Sequence, residues 1–298
     1  MILYICKIVK GSVKLMKILI TGANGMLAKA VINQFKDENE LICTDAIDLD
    51  ITNREAVLNC VRSKKPEYII NCAAYTAVDK AEEDFDLAEK INANGPENLA
   101  IAAKENNCTL VHISTDYVFD GDLDVSECYV ENDNVAPVTV YGLTKMHGEK
   151  AVTNNCDKYY IFRTAWLYGD GNNFVRTMLK LGEEKETLNV VSDQHGSPTY
   201  AVDLSSIIKQ AIDKKIPYGI YHSTNQGFTT WYDFTRKIFE LANIKCNIIP
   251  VTSEEFIRPA KRPKNSQLSK EKLLEQGINV PNWEDGLKRY LVEEGKIK

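Results

Sequence analysis

Short apolar runs alternate with amphipathic stretches through the first half of the chain. Five runs are apolar and rich in strand-forming residues: Lys17–Thr21, Leu41–Asp45, Glu67–Ala74, Thr109–Ser114 and Tyr159–Arg163. Between them apolar residues recur at the helical period of about 3.6, as at Leu27, Val31 and Phe35. This alternation predicts an α/β protein whose strands form a doubly wound parallel sheet.

Several connecting segments have distinct patterns. A long helical pattern runs over residues 79–105 and is expected to break near Gly95–Pro96, and Thr52 with Glu55 forms a capping-box pattern before another helix that Pro66 ends. The segment from Asp120 to Pro137 is rich in acids and turn formers, which indicates a long loop. We expect that loop to lie over the functional site and to lead into a helix at Tyr141.

The pattern changes beyond Trp166, where helices and short strands mix. Predicted helices cover 173–181, 201–212 and 230–242, and predicted strands cover 188–191 and 220–223. We therefore predict a smaller mixed α/β lobe toward the C-terminus. The expected division is an extension at 1–15, a nucleotide-binding domain at 16–165 to which 195–225 partly returns, and a substrate-binding lobe at 166–298.

Composition narrows the class of protein. The 298 residues are 44% hydrophobic and 26% charged, as in soluble globular proteins, and the net charge of -6 argues against a nucleic-acid binder. No apolar run approaches the roughly 18 residues that would span a bilayer, so we expect no membrane insertion. Eight scattered cysteines predict reduced thiols in a cytoplasmic protein, and no metal-ligand spacing is visible.

The first fifteen residues have neither the charge order nor the cleavage site of a signal peptide. Met16 opens the first predicted strand and resembles a natural start. We therefore predict that residues 1–15 are an extension that is dispensable for activity.

A glycine turn follows the first predicted strand. Gly22 permits a tight turn, Gly25 lets a pyrophosphate approach the backbone, and the free N–H groups of the following helix attract the anion. The third position of this fingerprint is Ala28, which still permits fairly close helix packing. Asp45 ends the second strand, where a carboxylate could bind the ribose hydroxyls of the cofactor. Its charge would oppose a 2′-phosphate, which slightly favours NADH over NADPH as the cofactor.

Tyr141 and Lys145 are four residues apart, which on a helix places their Cβ atoms about 5–6 Å apart. A neighbouring ammonium favours the phenolate, so we expect Lys145 to lower the pKa of Tyr141 and make it a proton donor or acceptor near neutrality. Gly22, Asp45, Ala73 and Thr115 all end predicted strands, and the carboxyl ends of parallel strands are where cofactors bind.

These residues belong to an ordered set of motifs. They are Thr21-Gly-x-x-Gly25, Asn71-Cys-Ala-Ala-Tyr-Thr-Ala-Val-Asp-Lys80, Ser114-Thr-Asp-Tyr-Val-Phe119, Tyr141-x-x-x-Lys145, Arg163-Thr-Ala-Trp166 and Arg262-Pro-Lys-Asn-Ser266. The set resembles the extended short-chain dehydrogenase/reductase superfamily and, within it, the dTDP-4-dehydrorhamnose reductases. The resemblance extends from Met16 nearly to the C-terminus and implies a Rossmann-type sheet.

The resemblance implies reduction of the 4-keto group of dTDP-6-deoxy-L-lyxo-4-hexulose to dTDP-L-rhamnose by NADPH or NADH. In this reading Tyr141 is the general acid, Lys145 lowers its pKa and holds the nicotinamide ribose, and Thr115 hydrogen-bonds the keto oxygen. An alkoxide that forms at a carbonyl carbon needs such a proton and a polarising hydrogen bond.

The resemblance also implies two sets of binding residues. The cofactor set is Gly22, Asn24, Gly25, Met26, Leu27, Asp45, Asp50, Ile51, Cys72, Ala73, Ala74, Tyr141 and Lys145. The substrate set is Thr76, Val78, Asp116, Tyr117, Trp166 and Arg262, with Arg262 chosen for the diphosphate from a basic cluster that includes Arg258, Lys261 and Lys264. Asn92 is expected either to support Lys145 through water or simply to bond the backbone.

Some alternatives stay open in the sequence. Tyr117 stands where sugar-nucleotide 4,6-dehydratases have a glutamate, which favours a simple reductase. Another nucleotide-sugar reductase or epimerase, or a non-catalytic regulatory subunit like the β subunit of methionine adenosyltransferase, remains an alternative. A monomer or homodimer is expected, and Mg²⁺ at a dimer contact is an option for which no residue is assigned. His147 is expected at the surface.

Overall fold

The computed structural model describes the backbone of residues 2–4 and all of residues 15–298. The strands are β1 Ile2–Tyr4, β2 Met16–Thr21, β3 Asn39–Thr44, β4 Tyr68–Asn71, β5 Thr109–Thr115, β6 Tyr159–Thr164, β7 Leu167–Tyr168, β8 Thr187–Val191, β9 His195–Gly196, β10 Thr199–Tyr200, β11 Gly219–His222, β12 Thr229–Thr230 and β13 Asn247–Val251. The helices are α1 Met26–Phe35, α2 Arg54–Lys64, α3 Val78–Ala81, α4 Phe85–Glu89, α5 Gly95–Glu105, α6 Val140–Asn155, α7 Phe174–Glu184, α8 Ala201–Lys214, α9 Trp231–Ala242, α10 Glu271–Glu275 and α11 Trp283–Glu293.

The main sheet has the strand order β1-β3-β2-β4-β5-β6-β11. Every pair from β3 to β11 is parallel, and only β1 is antiparallel, to β3. β3 lies on one side of β2, and β4 and the later strands lie on the other side, so the direction of winding reverses at β2. The expected doubly wound parallel sheet is confirmed. The crevice at such a reversal, beyond the carboxyl ends of the strands, is where ligands bind in this architecture.

Helices cover both faces of this sheet and form two separate cores. On one face α1 and α8 pack through Val31, Phe35, Leu204 and Ile208 against the sheet. On the other face α2, α5 and α6 do the same. The sheet is thus buried on both sides, which explains why its strands read as continuous apolar runs rather than alternating ones.

The predicted break at Gly95–Pro96 was wrong. The chain interrupts its helix earlier, between α3 and α4, and then continues from α4 through a π-helical turn at Lys90–Asn94 into α5. Pro96 lies in the first turn of α5, where the missing N–H removes no α-helical bond. The backbone absorbs Gly95 and Pro96 by changing helix type.

The predicted start of α2 was also one residue early. Asn53, and not Thr52, is the cap, because its side chain accepts from the Ala56 amide at 3.1 Å. The Thr52 hydroxyl donates instead to Asp50 at 2.7 Å. Lys65 ends the helix in the left-handed conformation, directly before Pro66.

Residues after Trp166 form a third core from α7, α9, α11, β8 and β13, with β8 and β13 paired in parallel. β11 leaves this region and joins the main sheet beside β6. The long segment between Val118 and Val140 contains no helix or strand, as expected of the predicted loop, and Phe119 and Tyr129 stack within it at 4.2 Å. In the described part of the chain, every helix is too short or too polar to cross a bilayer.

Candidate active site

The glycine turn between β2 and α1 forms a cradle that side chains cannot enter. Gly22 has φ +65°, and a Cβ there would lie 2.7 Å from the Ala73 amide nitrogen, so only glycine fits. Gly25 is the N-cap of the ten-residue helix α1 and provides no side-chain cap. The first amides of α1 are therefore available to an anion, as dinucleotide binding requires.

Asp45 lies just beyond β3 and hydrogen-bonds to the backbone of the glycine turn. Its carboxylate accepts from the Asn24 amide at 2.9 Å and from the Ala46 amide at 2.7 Å. Asp50 accepts from both the amide and the hydroxyl of Thr52, which lowers the pKa of its carboxyl. The Ile51 side chain is buried against Gly95.

The end of β4 reaches the same crevice. The expected strand to Ala74 was too long, because β4 stops at Asn71 and Cys72, Ala73 and Ala74 leave the sheet half-buried. The Asn71 side-chain oxygen accepts from the Thr21 hydroxyl at 2.6 Å, which locks β4 to β2 beneath the glycine turn. Small residues at this point keep the crevice open to a flat ring.

Helix α6 carries Tyr141 and Lys145 and lies unusually close to its neighbours. Thr139 caps it by accepting from the Gly142 amide at 3.0 Å. A Cβ on Gly142 would be 2.1 Å from the Tyr117 carbonyl oxygen, and one on Gly148 would be 2.2 Å from the Asn92 carbonyl oxygen. These two glycines let the helix backbone approach the end of β5, which brings Tyr141 to Thr115.

Thr115, Tyr141 and Lys145 meet at the end of β5. The hydroxyl of Thr115 lies close enough to the Tyr141 phenol to affect its pKa, and Lys145 Nζ donates to the Ile113 carbonyl at 2.5 Å. Lys145 is only 2% exposed. The sequence alone had placed Thr115 at the end of a strand and Tyr141 with Lys145 on a helix, and the structure brings the two elements together.

The pKa directions differ from the sequence expectation. Desolvation raises the pKa of Tyr141, with the Thr115 hydroxyl opposing that rise, and it lowers the pKa of Lys145 to about 8 against the pull of Glu149. The expectation that the pKa of Tyr141 lies below its usual value was therefore wrong for this structure. The reason is that the buried ammonium donates to Ile113 while burial penalises the phenolate. Tyr141 is therefore protonated at neutral pH, which is the form that donates a proton, but its raised pKa makes it a weaker acid than a free tyrosine.

Asp116 follows Thr115 and is buried. Its Oδ1 accepts from the Thr115 hydroxyl at 2.8 Å, and its Oδ2 is buried without a hydrogen-bond partner among the described residues. Desolvation raises the pKa of this carboxyl to about 6, although the Thr115 hydroxyl lowers it. An unsatisfied buried oxygen beside the candidate proton donor suggests a hydroxyl-bearing ligand, because such groups normally have partners.

Asn92 lies within the π-helical turn, and its amide bonds neighbouring groups directly. The side-chain oxygen accepts from the Tyr75 amide at 2.9 Å, and the nitrogen donates to the Tyr75 carbonyl at 3.0 Å and to the Thr144 hydroxyl at 3.1 Å. Of the two roles expected for it, the structure shows bonding to the backbone. π turns inside helices are frequent at functional sites.

One turn beyond Lys145, Glu149 forms a buried bidentate pair with Arg163 of β6. The two bonds measure 2.9 and 2.8 Å, and both side chains are 5% exposed or less. Arg163 also lies over the Phe119 ring, 5.0 Å from its centroid. This pair fixes the orientation of α6 on the sheet and explains the arginine in the Arg163-Thr-Ala-Trp166 motif. His147, on the same helix, is half-buried and pairs with Glu89 at 2.9 Å.

A cavity of about 430 Å³ opens beside Tyr117 and extends into the C-terminal lobe. Trp166 lines it in a left-handed backbone conformation with φ +48°, which is strained for a large side chain. Its ring stacks on the Trp231 ring with the centroids 3.6 Å apart. A Cβ on Gly196 would lie 2.8 Å from an atom of the Trp166 ring. The packing around Trp166 holds this strained residue at the cavity wall.

Two arginines of the basic cluster line the same cavity. Arg258 and Arg262 line it, whereas the side chain of Lys261 is 57% exposed and 4.0 Å from Asp122. Arg262 Nη2 donates to Asp79 at 2.9 Å, and its Nη1 is buried without a partner among the described residues. Thr76 is exposed and Val78 opens α3 on the same segment as Asp79.

Several cavity residues escaped the sequence reasoning. Phe174, Met178 and Trp231 line the cavity from α7 and α9, and Gln194 does so from the turn before β9. They belong to no motif that was singled out, and their local patterns are those of ordinary amphipathic helices. The described part of the chain contains no cluster of three His, Cys, Asp or Glu side chains that could hold a metal ion.

A glycine turn with free helix amides and a Thr115, Tyr141 and Lys145 group, set at the switch point of a doubly wound sheet, is the arrangement typical of NAD(P)-dependent oxidoreductases. The relatives agree with this class. The chain belongs to the family described as RmlD substrate binding domain, whose model matches residues 16–295. The resemblance to extended short-chain reductases is confirmed.

Individual relatives cover nearly the whole chain. dTDP-4-dehydrorhamnose reductase of Escherichia coli K12 is 41% identical over 93% of this chain and 98% of its own length. A solved structure of a dTDP-4-dehydrorhamnose reductase from Clostridium acetobutylicum is 52% identical, with a TM-score of 0.91 over 94% of this chain and all of the other. The reductase of Bacillus anthracis, solved in complex with NADP, is 45% identical, with a TM-score of 0.90 over 94% of this chain and 99% of the other.

Proposed function

We propose that this chain reduces the 4-keto group of dTDP-4-dehydro-L-rhamnose to give dTDP-L-rhamnose, with NADPH or NADH as the reductant. The observation that carries the proposal is the meeting of Thr115, Tyr141 and Lys145 at the crevice, next to the glycine cradle. Relatives at 41% and 52% identity bear the name of this reductase. The reaction belongs to dTDP-rhamnose and polysaccharide biosynthesis.

The chemistry divides between cofactor and protein. The bound nicotinamide supplies the hydride. Tyr141 donates its proton to the oxygen that was the ketone, and the Thr115 hydroxyl stabilises the charge on that oxygen by a hydrogen bond. The phenol is protonated at neutral pH, and the alkoxide that forms on the sugar is a stronger base than a phenolate, so it takes up the proton.

Lys145 has two roles in this proposal. Its ammonium, already fixed by the Ile113 carbonyl, binds the nicotinamide ribose and supplies positive charge beside Tyr141 when the phenolate forms. Because the pKa of Lys145 is lowered to about 8, the side chain is charged at neutral pH yet loses that charge more readily than a surface lysine.

The cofactor fits the crevice that the described residues form. The free start of α1 and the close approach of Gly22 to Ala73 suit a pyrophosphate and a flat ring. We assign it to Gly22, Asn24, Gly25, Met26, Leu27, Asp45, Asp50, Ile51, Cys72, Ala73, Ala74, Tyr141 and Lys145. Asp45 favours ribose hydroxyls over a 2′-phosphate, but a relative binds NADP, so both cofactors stay within the proposal.

The sugar nucleotide occupies the cavity beside Tyr117. Trp166 and Tyr117 supply apolar walls, Asp116 accepts hydrogen bonds from sugar hydroxyls, and Arg262 binds the diphosphate through its unpartnered Nη1. Thr76 and Val78 complete the set near the nicotinamide. In this arrangement residues 16–165 bind the cofactor, with part of 195–225, and residues 166–298 bind the substrate.

The proposed setting is a monomer or homodimer in the cytoplasm. Seven cysteines of the described residues are free thiols, which agrees with a reducing compartment. A role for Mg²⁺ remains without assigned residues. Size-exclusion chromatography with light scattering, with and without Mg²⁺, would decide between monomer and dimer.

The deciding assay follows NAD(P)H oxidation with dTDP-4-dehydro-L-rhamnose, prepared with a 4,6-dehydratase and a 3,5-epimerase. We expect turnover with this keto sugar and the appearance of dTDP-L-rhamnose by chromatography. Binding of NADPH without turnover would overturn the reductase and favour a regulatory subunit. An exchange of sugar stereochemistry without net oxidation of cofactor would favour an epimerase.

A further inference from the structure

Asp79 joins two distant parts of the chain at the edge of the substrate cavity. Its Oδ2 accepts from Arg262 Nη2 at 2.9 Å and lies 3.8 Å from Arg258 Nη1, and its Oδ1 accepts from the Ala260 amide at 3.3 Å. One carboxylate on the short helix α3 thus contacts three positions of the segment 252–264. We call these residues the crossing segment.

The crossing segment is anchored at its start, where the amide and the hydroxyl of Ser253 donate to the Asp193 carboxylate at 3.0 and 2.7 Å. Residues 254–259 are all exposed, with Ile257 at 87%, and only Ala260 is buried, at 1%. Its C-terminal end is fixed, because Asn265 donates its amide to the Gly121 carbonyl at 3.0 Å and Pro263 packs against Gly121. Asp79 is therefore the contact that holds the middle of the segment against the cavity.

The ion pair orients Arg262 in a particular way. Asp79 engages Nη2 and leaves Nη1 buried without a partner among the described residues, in a side chain that lines the cavity. A buried guanidinium nitrogen without a hydrogen-bond partner lowers the stability of the protein unless a ligand accepts its hydrogen bond. A phosphate oxygen has the geometry to do so. The planar fork lets one carboxylate fix the plane in which the other nitrogen points.

We propose that Asp79 is a positioning residue, which sets Arg262 and the crossing segment in place to receive the diphosphate of the sugar nucleotide. The inference rests on the proposed function and adds a determinant of substrate affinity that touches neither the sugar nor the cofactor. Asp79 acts through Arg262, so its loss weakens the binding of diphosphate and leaves the proton donor untouched.

The test uses the full chain with dTDP as the probe, measured by titration calorimetry in the presence of NADPH. For Asp79→Asn we expect dTDP affinity to fall roughly tenfold, the equivalent of one charge-assisted hydrogen bond, while NADPH affinity stays within about twofold. Asp79→Glu should restore part of the affinity. In turnover assays KM for the sugar nucleotide should rise by a similar factor with kcat little changed.

A matched control separates the position from the charge. Asp122→Asn removes the same charge near the same segment, at an exposed contact to Lys261, and should leave dTDP affinity unchanged. If Asp79→Asn and Asp122→Asn bind dTDP equally well, or if Asp79→Asn binds it more tightly, the positioning role is wrong.

A double-mutant cycle tests whether Asp79 acts through Arg262. In an Arg262→Gln background, Asp79→Asn should cause no further loss of dTDP affinity, whereas additive losses would contradict the mechanism. Retained NADPH binding shows that each variant is folded. Because dTDP binding is measured without turnover, failure of the reductase assay and failure of this positioning role give different results.

Discussion

The rings of Trp166 and Trp231 stack face to face with centroids 3.6 Å apart and planes inclined by 13°. Trp166 follows strand β6 of the main sheet, and Trp231 opens helix α9 of the C-terminal lobe. The stack therefore connects the crevice of the sheet to the wall of the substrate cavity. It also holds Trp166 in its left-handed backbone conformation.

Removing Trp231 should weaken substrate binding while sparing the cofactor. Trp231→Ala deletes the stack, so we expect KM for the sugar nucleotide to rise roughly tenfold, since aromatic pairs contribute about 0.5–1.5 kcal/mol beyond their buried area. Steady-state kinetics with each substrate varied in turn measure this. Tyr232→Ala, the next residue on α9, is the control, and an equal effect of both variants would exclude a specific role for the stack.

Tyr141→Phe tests the proton donor directly. Loss of the phenolic hydroxyl should reduce kcat by about 100-fold or more, the usual range for a general acid. NADPH binding, followed by fluorescence, should change little. Tyr159→Phe makes the same change at the start of β6, the end of the strand away from the crevice, and should keep full activity. Wild-type rates for Tyr141→Phe would exclude Tyr141 as the acid.

Asp116→Asn should change how stability depends on pH. Burial raises the folded-state pKa of Asp116 to about 6, so the folded protein holds this proton more tightly than the unfolded chain does. The resulting stabilisation is complete below the unfolded value near 4 and is lost as pH rises through about 6.

The variant lacks this titration. The free energy of unfolding of Asp116→Asn minus that of the wild type should therefore increase by about 1–3 kcal/mol between about pH 4 and pH 7. Urea unfolding at several pH values provides the measurement. Parallel stability curves for the two proteins would show that Asp116 has an ordinary pKa in the folded state.

Glu149→Gln should be strongly destabilising. It leaves the buried Arg163 guanidinium without its carboxylate, a change that typically costs about 3–5 kcal/mol. Chemical denaturation measures the loss. Asp157→Asn breaks the exposed pair with Lys104 at 3.4 Å and should change stability by less than about 1 kcal/mol. If Glu149→Gln also lowers the free energy of unfolding by less than about 1 kcal/mol, water reaches Arg163.

A chain that begins at Met16 should remain folded and active. Residues 1 and 5–14 lie outside the described residues, and strand β1 adds only an edge to β3. The core on that side of the sheet begins with Met16 and Ile18, and the family model also begins at residue 16. Loss of soluble, active protein on this truncation would assign the extension a structural role.

Much of the fold followed from local pattern. The apolar runs predicted β2 to β6 because strands buried on both faces have no polar alternation, and the glycine turn was readable because Gly22 and Gly25 meet backbone requirements that other residues fail. Helix boundaries failed where local signals competed, as at Gly95–Pro96, since the π-helical turn accommodates both residues without a break.

The sequence by itself determined the sheet, the glycine turn and the placing of Tyr141 with Lys145 on one helix, because each depends on periodicity or on a short motif with its own physical requirement. Only the tertiary structure decided the direction of the pKa of Tyr141, the stack of Trp231 on Trp166 and the clamp of Asp79 on Arg262. Asp79 and Arg262 are 183 residues apart. Burial and long-range contacts depend on how the helices and strands pack together. No single segment of the sequence carries that information.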